Sequence, residues 1–381
     1  MGALTFQLDP LEEKMKTAID YLKIGSPCAL GFGFMRLPKE EKVTAQMVDT
    51  YLESGYNYFD TAYIYKDSEV TLGKTLVQRH PRESYVVANK LPPWEVKSSP
   101  ADCERIFTEQ LRRTGLEYFD FYLVHSLSDA REQELEQQQL FEWCMKQKEK
   151  GLIKHLGFSF HGGTAYLERV LKKYPMSEFV QLQQNYIDNI NGNAAEWQNL
   201  AIKYNLPIIV MEPVKGGTLA KLPLAAEKLL KEYAPNRSIA SWAIQYGATL
   251  QNATCLLSGM SDMEQMQDNI NTFKDMKPFS AEEKALLDQV LAEIAKTSGI
   301  PCTACKYCHA ECPVNIDIAA SFAYYNEVER GTEKWNATSL YKTLPEGQRA
   351  DACVSCGACV PICPQQIDIP KGMRDVAEMF K

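Results

Sequence analysis

Two periodicities alternate along the chain from residue 28 to residue 270. Short runs rich in aromatic and β-branched residues read as buried strands: CALGFGF (28–34), YNYFDTA (56–62), SYVVANKL (84–91), YFDFYLVH (118–125), IKHLGFSF (153–160), EFVQLQQ (178–184), LPIIVMEP (206–213) and ATCLLSGM (253–260). Between and after them, apolar residues recur every three or four positions and predict helices. These are TAQMVDTYLESG (44–55), SEVTLGKTLVQR (68–79), ADCERIFTEQLRRTG (101–115), EQELEQQQLFEWCMKQKEKG (132–151), TAYLERVLKKY (164–174), AAEWQNLAIKYN (194–205), SIASWAIQYG (238–247) and DMEQMQDNI (262–270). Eight strand–helix units in about 245 residues match a closed (β/α)8 TIM barrel. A doubly wound open sheet is the competing arrangement. It gathers polar residues at one switch point, whereas here they recur at the carboxyl ends of many strands.

Outside this array the pattern is helical. In PLEEKMKTAIDYLK (10–23), Leu11, Met15, Ala18, Ile19 and Leu22 share one face and predict an amphipathic covering helix. SAEEKALLDQVLAEIAKTSG (280–299) predicts a helix leading away from the barrel and ending at a glycine. The expected organisation is an N-terminal helical extension (1–23), the barrel (24–279), a linking helix (280–299) and a small, mainly helical domain (300–381).

Three successive predicted strands end in an ionisable residue. Tyr56–Phe59 runs into Asp60, the 84–91 run carries Lys90, and the 118–125 run ends in His125. Tyr65 follows Asp60 after a short loop. Parallel strands of a barrel deliver such ends to one rim. Together these groups suit reduction of a carbonyl by hydride, which needs a proton donor at the developing alkoxide. A free phenol, with a pKa near ~10, is a sluggish donor at neutral pH. A nearby ammonium favours the phenolate, so Lys90 can activate Tyr65 while Asp60 holds Lys90. His125 can hydrogen-bond and orient the substrate oxygen. Each residue alone reads as an ordinary satisfied polar group; the four together make the site.

Composition narrows the setting. The chain has 381 residues, 45% apolar and 24% charged, with a formal net charge of -8, and no Lys/Arg-rich run, which excludes nucleic acid as the expected partner. No apolar run is long enough to span a bilayer, so no membrane association is expected. The first residues, MGALTFQLDPLEEKMK, lack the apolar core of a signal peptide, and the expected location is cytoplasmic.

Several separated pieces then resemble the aldo/keto reductase superfamily: LGFGFMRLP (30–38), GYNYFDTAYIY (55–65), VANKLP (87–92), YLVHS (122–126), LGFSFHG (156–162) and MEPVKGGTL (211–219). They occur in that family's order over roughly residues 24–275. The resemblance implies a catalytic tetrad of Asp60, Tyr65, Lys90 and His125. It implies Ser159 and Gln181 at the nicotinamide carboxamide, with Phe160 and His161 in place of the more usual following Asn. It places Met211, Glu212, Val214, Lys215 and Gly216 in a loop around the pyrophosphate, where Gly216 and Gly217 permit close backbone approach. It places Gly259, Met260, Ser261, Gln265 and Asn269 at the adenosine. No Lys or Arg occurs between Arg237 and Lys274 to hold a 2′-phosphate, so NADP and NAD both remain open. Arg36, Tyr63 and Trp94 are candidates for the pocket wall.

The twelve cysteines divide unevenly. Cys28, Cys103, Cys144 and Cys255 are scattered and read as buried thiols. The others form two runs, Cys302-x-x-Cys305-x-x-Cys308-x-x-x-Cys312-Pro313 and Cys353-x-x-Cys356-x-x-Cys359-x-x-x-Cys363-Pro364. Each run matches the bacterial ferredoxin pattern for a 4Fe-4S cluster, in which the fourth Cys commonly serves the other cluster. That implies one cluster on Cys302, Cys305, Cys308 and Cys363, and a second on Cys353, Cys356, Cys359 and Cys312. Zinc is the competing metal, and two complete runs each followed by Pro weigh against it. His309 reads as a neighbour rather than a ligand. About forty residues separate the runs, more than in compact bacterial ferredoxins, so the tail resembles the helical two-cluster domains appended to redox enzymes.

Barrel and tail together resemble the iron–sulfur branch of the aldo/keto reductases. The expected function is a nicotinamide-dependent oxidoreductase interconverting a small carbonyl and an alcohol, coupled to an electron-transfer module with a possible protein partner. Nicotinamide releases two electrons as a hydride and a cluster takes one, for which flavin is the usual converter. A flavin is possible as such a converter, but no flavin motif indicates one. The alternative is a redox-sensing or electron-carrier module whose barrel binds NAD(P) without turnover.

Overall fold

The computed structural model describes residues 28–274, 276–297 and 299–381. The helix expected at 10–23 lies outside the described residues. Two compact units are present: one built from the described residues up to Pro213 with Ile244–Pro278, the other from Val214–Ala243 with Phe279–Lys381.

The first unit is a closed barrel of eight parallel strands in sequence order: β1 (Ala29–Gly33), β2 (Tyr58–Asp60), β3 (Val86–Leu91), β4 (Phe119–Leu127), β5 (Ile153–Phe160), β6 (Phe179–Gln183), β7 (Ile208–Met211) and β8 (Ala253–Ser258). β8 closes on β1 through pairs such as Leu30 with Leu256. The closed sheet rules out the doubly wound alternative. Strands covered on both faces read as near-continuous apolar runs, and one set of alternate residues fills the interior: Ala29, Tyr58, Val86, Ala88, Phe121, Leu123, Phe179, Ile209, Met211, Cys255 and Leu257. Gly157 in β5 makes room for this packing. A Cβ there would lie 2.5 Å from the Phe179 carbonyl oxygen and 2.7 Å from the Phe179 ring. Outside the sheet, the Tyr51 hydroxyl on helix Glu41–Glu53 donates to the Leu30 and Tyr58 carbonyls at 2.6 and 2.9 Å, joining β1 and β2.

Two helical readings are corrected. The single helix expected over 132–151 is two, Glu132–Gln138 and Leu140–Glu149, because Gln139 adopts a left-handed φ of 51°. Short helices Tyr186–Asn191 and Leu224–Tyr233 also form where the alternation signalled none.

The second unit packs helices Ile318–Glu329, Lys334–Tyr341 and Ile369–Met379 around Phe322, Tyr341, Met373, Val376 and Phe380, while helix Leu224–Tyr233 contacts helix Ala281–Ile294. The two cysteine runs are structural repeats. Each continues Cys-Pro-x-x-Ile-Asp-Ile, and Asp317 and Asp368 cap the helices that follow by accepting from Ala320 and Lys371 backbone N–H groups at 3.0 Å. Left-handed backbone recurs at matching positions: Ala304 and Ser355, Lys306 and Gly357, Asn315 and Gln366. Such turns curl the chain inward around its cysteines.

Candidate functional site

The period of two along a strand decides which side chains face the barrel axis. Tyr58 lies inside, so Asp60 does too; Ala88 brings in Lys90, and Leu123 brings in His125. Each is the next inward position beyond the apolar interior, at the carboxyl end of its strand. Lys90 donates to Asp60 Oδ1 at 2.5 Å and to the Thr61 carbonyl at 2.7 Å, and both side chains are fully buried. Burial pushes the Lys90 ammonium down and the Asp60 carboxyl up, and each partner's charge offsets part of the other's shift. The Tyr65 ring centroid lies 5.0 Å from Lys90 Nζ and 6.0 Å from the His125 ring. The structure thus brings all four residues together.

His125 sits in an irregularity of β4. The register with β5 shifts between Val124 and Leu127, and Ser126 takes a left-handed φ of 54° while its N–H donates to Ser159 Oγ at 2.7 Å. Bulges of this kind re-aim side chains next to sites. Burial, then the charges of Lys90, His161 and Arg131, hold His125 far below the usual imidazole range, so it is neutral near pH 7. Its Nδ1 and Asp60 Oδ2 are buried without a hydrogen-bond partner among the described residues.

A polar network behind β3 fixes the lysine. The Asn89 side chain points away from the axis, donates to Glu69 at 2.8 Å, and accepts from the Lys90 N–H and from Gln110. Gln110 also donates to the Lys90 carbonyl at 2.9 Å and accepts from the Tyr122 hydroxyl at 2.5 Å. Arg113 pairs with Glu69 at 3.0 Å. Sequence reasoning missed this network; its signal was Asn89 and Gln110 at positions an apolar pattern would fill. Also missed was Arg131, whose guanidinium lies 4.2 Å from the Trp94 ring centroid, while Trp94 lies 5.4 Å from His125. Trp94 therefore flanks the site as anticipated. Tyr63 instead donates to Glu109 at 2.8 Å on helix Ala101–Thr114. Arg36 ends the short helical turn after β1.

The expected dinucleotide residues of the first unit continue the inward series. Gly157 leads to Ser159, Phe179 to Gln181, and Ile209 to Met211. Gln181 donates to Met211 Sδ at 3.6 Å, and its Oε1 is buried without a hydrogen-bond partner among the described residues, an acceptor suited to a carboxamide N–H. Glu212 follows with a φ of 54°. After β8, Ser261 and Gln265 are bonded N–H to Oε1 at 3.0 Å, Ser261 Oγ donates to the Gly259 carbonyl, Met260 is buried, and Asn269 donates to Ser258 at 2.7 Å. Gln265 also bonds Asp262, closing the start of helix Met263–Lys274. Val214, Lys215 and Gly216 belong to the second unit, where Lys215 is buried.

In the second unit the eight tail cysteines border two cavities. One is lined by Cys302, Cys305, Cys308 and Cys363, the other by Cys312, Cys353, Cys356 and Cys359. Among the described residues no three Cys, His, Asp or Glu side chains converge as a single-ion site does. Burial, then the neighbouring Cys305, Cys302, Cys363 and Cys359, push the Cys308 thiol up to about 12. Thiols so crowded ionise together only around a strong cation, which an iron–sulfur cluster supplies. The Cys302 and Cys312 sulfurs accept from the Ala304 and Ile316 N–H groups at 3.4 Å.

Comparisons with known proteins agree with this division. The chain is 24% identical over 300 residues to YqkF, an uncharacterized oxidoreductase of Bacillus subtilis, covering 70% of this chain and 94% of that protein. It is 26% identical over 274 residues to a 9,11-endoperoxide prostaglandin H2 reductase of Trypanosoma cruzi, covering 71% and 90%. A Bacillus halodurans aldo-keto reductase structure in its holo form aligns with a TM-score of 0.57 at 25% identity, over 68% of this chain and 91% of that one. A Klebsiella pneumoniae aldo/keto reductase in complex with NADP and acetate shares the fold, with a TM-score of 0.58 at 19% identity, over 69% and 91%. Residues 301–367 match the model of a 4Fe-4S dicluster domain. Residues 29–292 match the aldo/keto reductase family model, and the chain is an oxidoreductase of that family.

Proposed function

We propose that the barrel reduces a small carbonyl substrate, or oxidises the matching alcohol, with Tyr65 as proton donor, and that the second unit carries two 4Fe-4S clusters. The observation that carries this reading is the buried Lys90–Asp60 pair with its ammonium 5.0 Å from the Tyr65 ring. A nicotinamide dinucleotide, when bound, supplies or accepts the hydride. Ser159 and Gln181 hold its carboxamide, with Met211 beside them, and Glu212, Gly259, Met260, Ser261, Gln265 and Asn269 serve its remaining length. The orphaned Gln181 oxygen supports that fit. The Klebsiella relative's NADP supports the cofactor class.

In the reducing direction the Tyr65 hydroxyl gives its proton to the developing alkoxide oxygen. The Lys90 ammonium eases the proton's departure by stabilising the phenolate, and Asp60 anchors that ammonium. Neutral His125 orients the substrate oxygen by a hydrogen bond. Trp94 shields the reacting atoms from water on the His125 side. In the tail, Cys302, Cys305, Cys308 and Cys363 hold one cluster and Cys312, Cys353, Cys356 and Cys359 the other, each cluster serving one-electron exchange. Cys356 is exposed beside Val354, itself 62% exposed, which favours electron exchange with a protein partner at that edge.

The test uses the anaerobically loaded full chain and a substrate found by screening aldehydes and ketones. Tyr65→Phe keeps the ring and removes the proton, so turnover falls by ~10²–10⁴-fold while dinucleotide binding, followed by fluorescence, persists. Near-normal turnover in Tyr65→Phe would transfer the function to a carrier or sensor centred on the tail.

A further inference from the structure

The two cysteine cavities are built from repeated sequence, so the places where the repeat breaks show what distinguishes them. Three of the breaks place a polar side chain on the wall of the first cavity only. Thr303 and Lys306 of the first run stand where the second run has Val354 and Gly357. Two residues past the fourth cysteine, Gln365 lines the first cavity where Val314 lines the second. Each of these three is polar on the side of Cys302, Cys305, Cys308 and Cys363 and apolar or glycine on the other. The second cavity's own polar wall residues are Ser355 and Glu311, and its wall has no Lys or Arg, so the first cavity alone has a cation on its wall.

The polar wall is backed by the segment after β7, which belongs to the same unit. Lys215 is 5% exposed, and its ammonium lies 3.4 Å from Gln365 Oε1. Its neighbour Gly216, at a φ of 64°, packs so closely that a Cβ there would fall 2.6 Å from Thr303 backbone and side-chain atoms. Residues 215 and 216, which the family resemblance places in a dinucleotide loop, are thus seated on the two wall residues Gln365 and Thr303.

We infer that Lys215 is a tuning residue for the cluster in this first cavity, raising its reduction potential while leaving the cluster in the second cavity unaffected. The inference rests on the reading of these cysteines as 4Fe-4S ligands. One-electron reduction adds one negative charge to a cluster, with no bond made or broken and no proton required. A cation shielded from water nearby favours the reduced form more than an exposed one does. The exposed Lys306 adds to the same wall, more weakly because water screens it.

The experiment is a mediator-poised redox titration of the anaerobically reconstituted full chain, read by electron paramagnetic resonance, with iron and sulfide counted. Wild type gives two one-electron waves. Lys215→Met moves one of them down by on the order of tenfold in the reduction equilibrium, ~59 mV for one electron, and the other stays. Lys306→Gln moves that same wave by less, and Lys215→Arg, which keeps the charge, restores it. Midpoints do not depend on the loaded fraction, so a poorly loading variant still reports. Two unmoved waves, two waves moved equally, or Lys215→Arg shifting as far as Lys215→Met would overturn the inference. A wild-type chain with no four-iron signal would instead remove the cluster reading on which it stands.

Discussion

Single residues at the barrel mouth are held in protonation states set by burial. His161 follows β5; its ring Nδ1 is shielded although the residue as a whole is half-buried, and its pKa is lowered from 6.5 to about 4. His125 is lowered in the same sense. In the unfolded chain both titrate near the ordinary value. Between the two values the unfolded state therefore binds more protons than the folded one, and stability rises with pH. The contribution is complete above about 6.5 and is lost as pH falls toward about 4. Each histidine adds a slope of at most about 1.4 kcal/mol per pH unit, and less for His161, which is only half-buried as a residue. Urea unfolding followed by circular dichroism at pH 7, 6 and 5 should therefore show a shallower acid loss in His161→Gln than in wild type. Equal losses in the two proteins would refute this account.

At the scale of elements, the register of paired strands turns a list of residues into a rim. Gly157 sits opposite Phe179 across β5 and β6, and its missing side chain is filled by the Phe179 ring and carbonyl. The carbonyl is backbone and cannot swing aside. Gly157→Ala should therefore destabilise the barrel by ~1–3 kcal/mol, the usual cost of overpacking. It should also weaken dinucleotide binding by moving Ser159, two residues on. Gly347→Ala is the control, because no atom lies within 4 Å of the added Cβ. Thermal melts of both variants decide the matter: a Gly157→Ala melt no lower than that of Gly347→Ala would show that the strands adjust freely.

Across the whole molecule, the tail is organised by exchange between its two halves. Cys312, from the first run, lines the cavity of Cys353, Cys356 and Cys359, and Cys363, from the second run, lines that of Cys302, Cys305 and Cys308. On the proposed reading each cluster would close a loop between the runs, and losing one ligand would be felt in the other run's cavity. Cys312→Ser should change the spectrum of the cluster held by the second run and leave the first intact. Full iron content with both spectra unchanged would rule out the crossed arrangement. Among the described residues no helix is long and apolar enough to cross a membrane.

Much of this was legible in the chain because it depends on local periodicity. Strand runs between helical segments determined eight strand–helix units in a closed barrel, and the carboxyl ends of three successive strands determined that Asp60, Lys90 and His125 share one rim, while Ser159 and Gln181 came from the family resemblance. The spacing of the cysteines within each run, set by how a short loop wraps a cluster, was likewise readable. What depends on contacts between residues far apart in sequence was not. The bulge in β4 aims His125, and the Asn89–Gln110–Glu69 network positions Lys90 from behind. The grouping of Val214–Ala243 with the tail, and with it the seat of Lys215 on Gln365, follows from no pattern in the residues themselves. Periodicity specifies which face a side chain occupies, but the partner across that face is chosen only when distant segments pack.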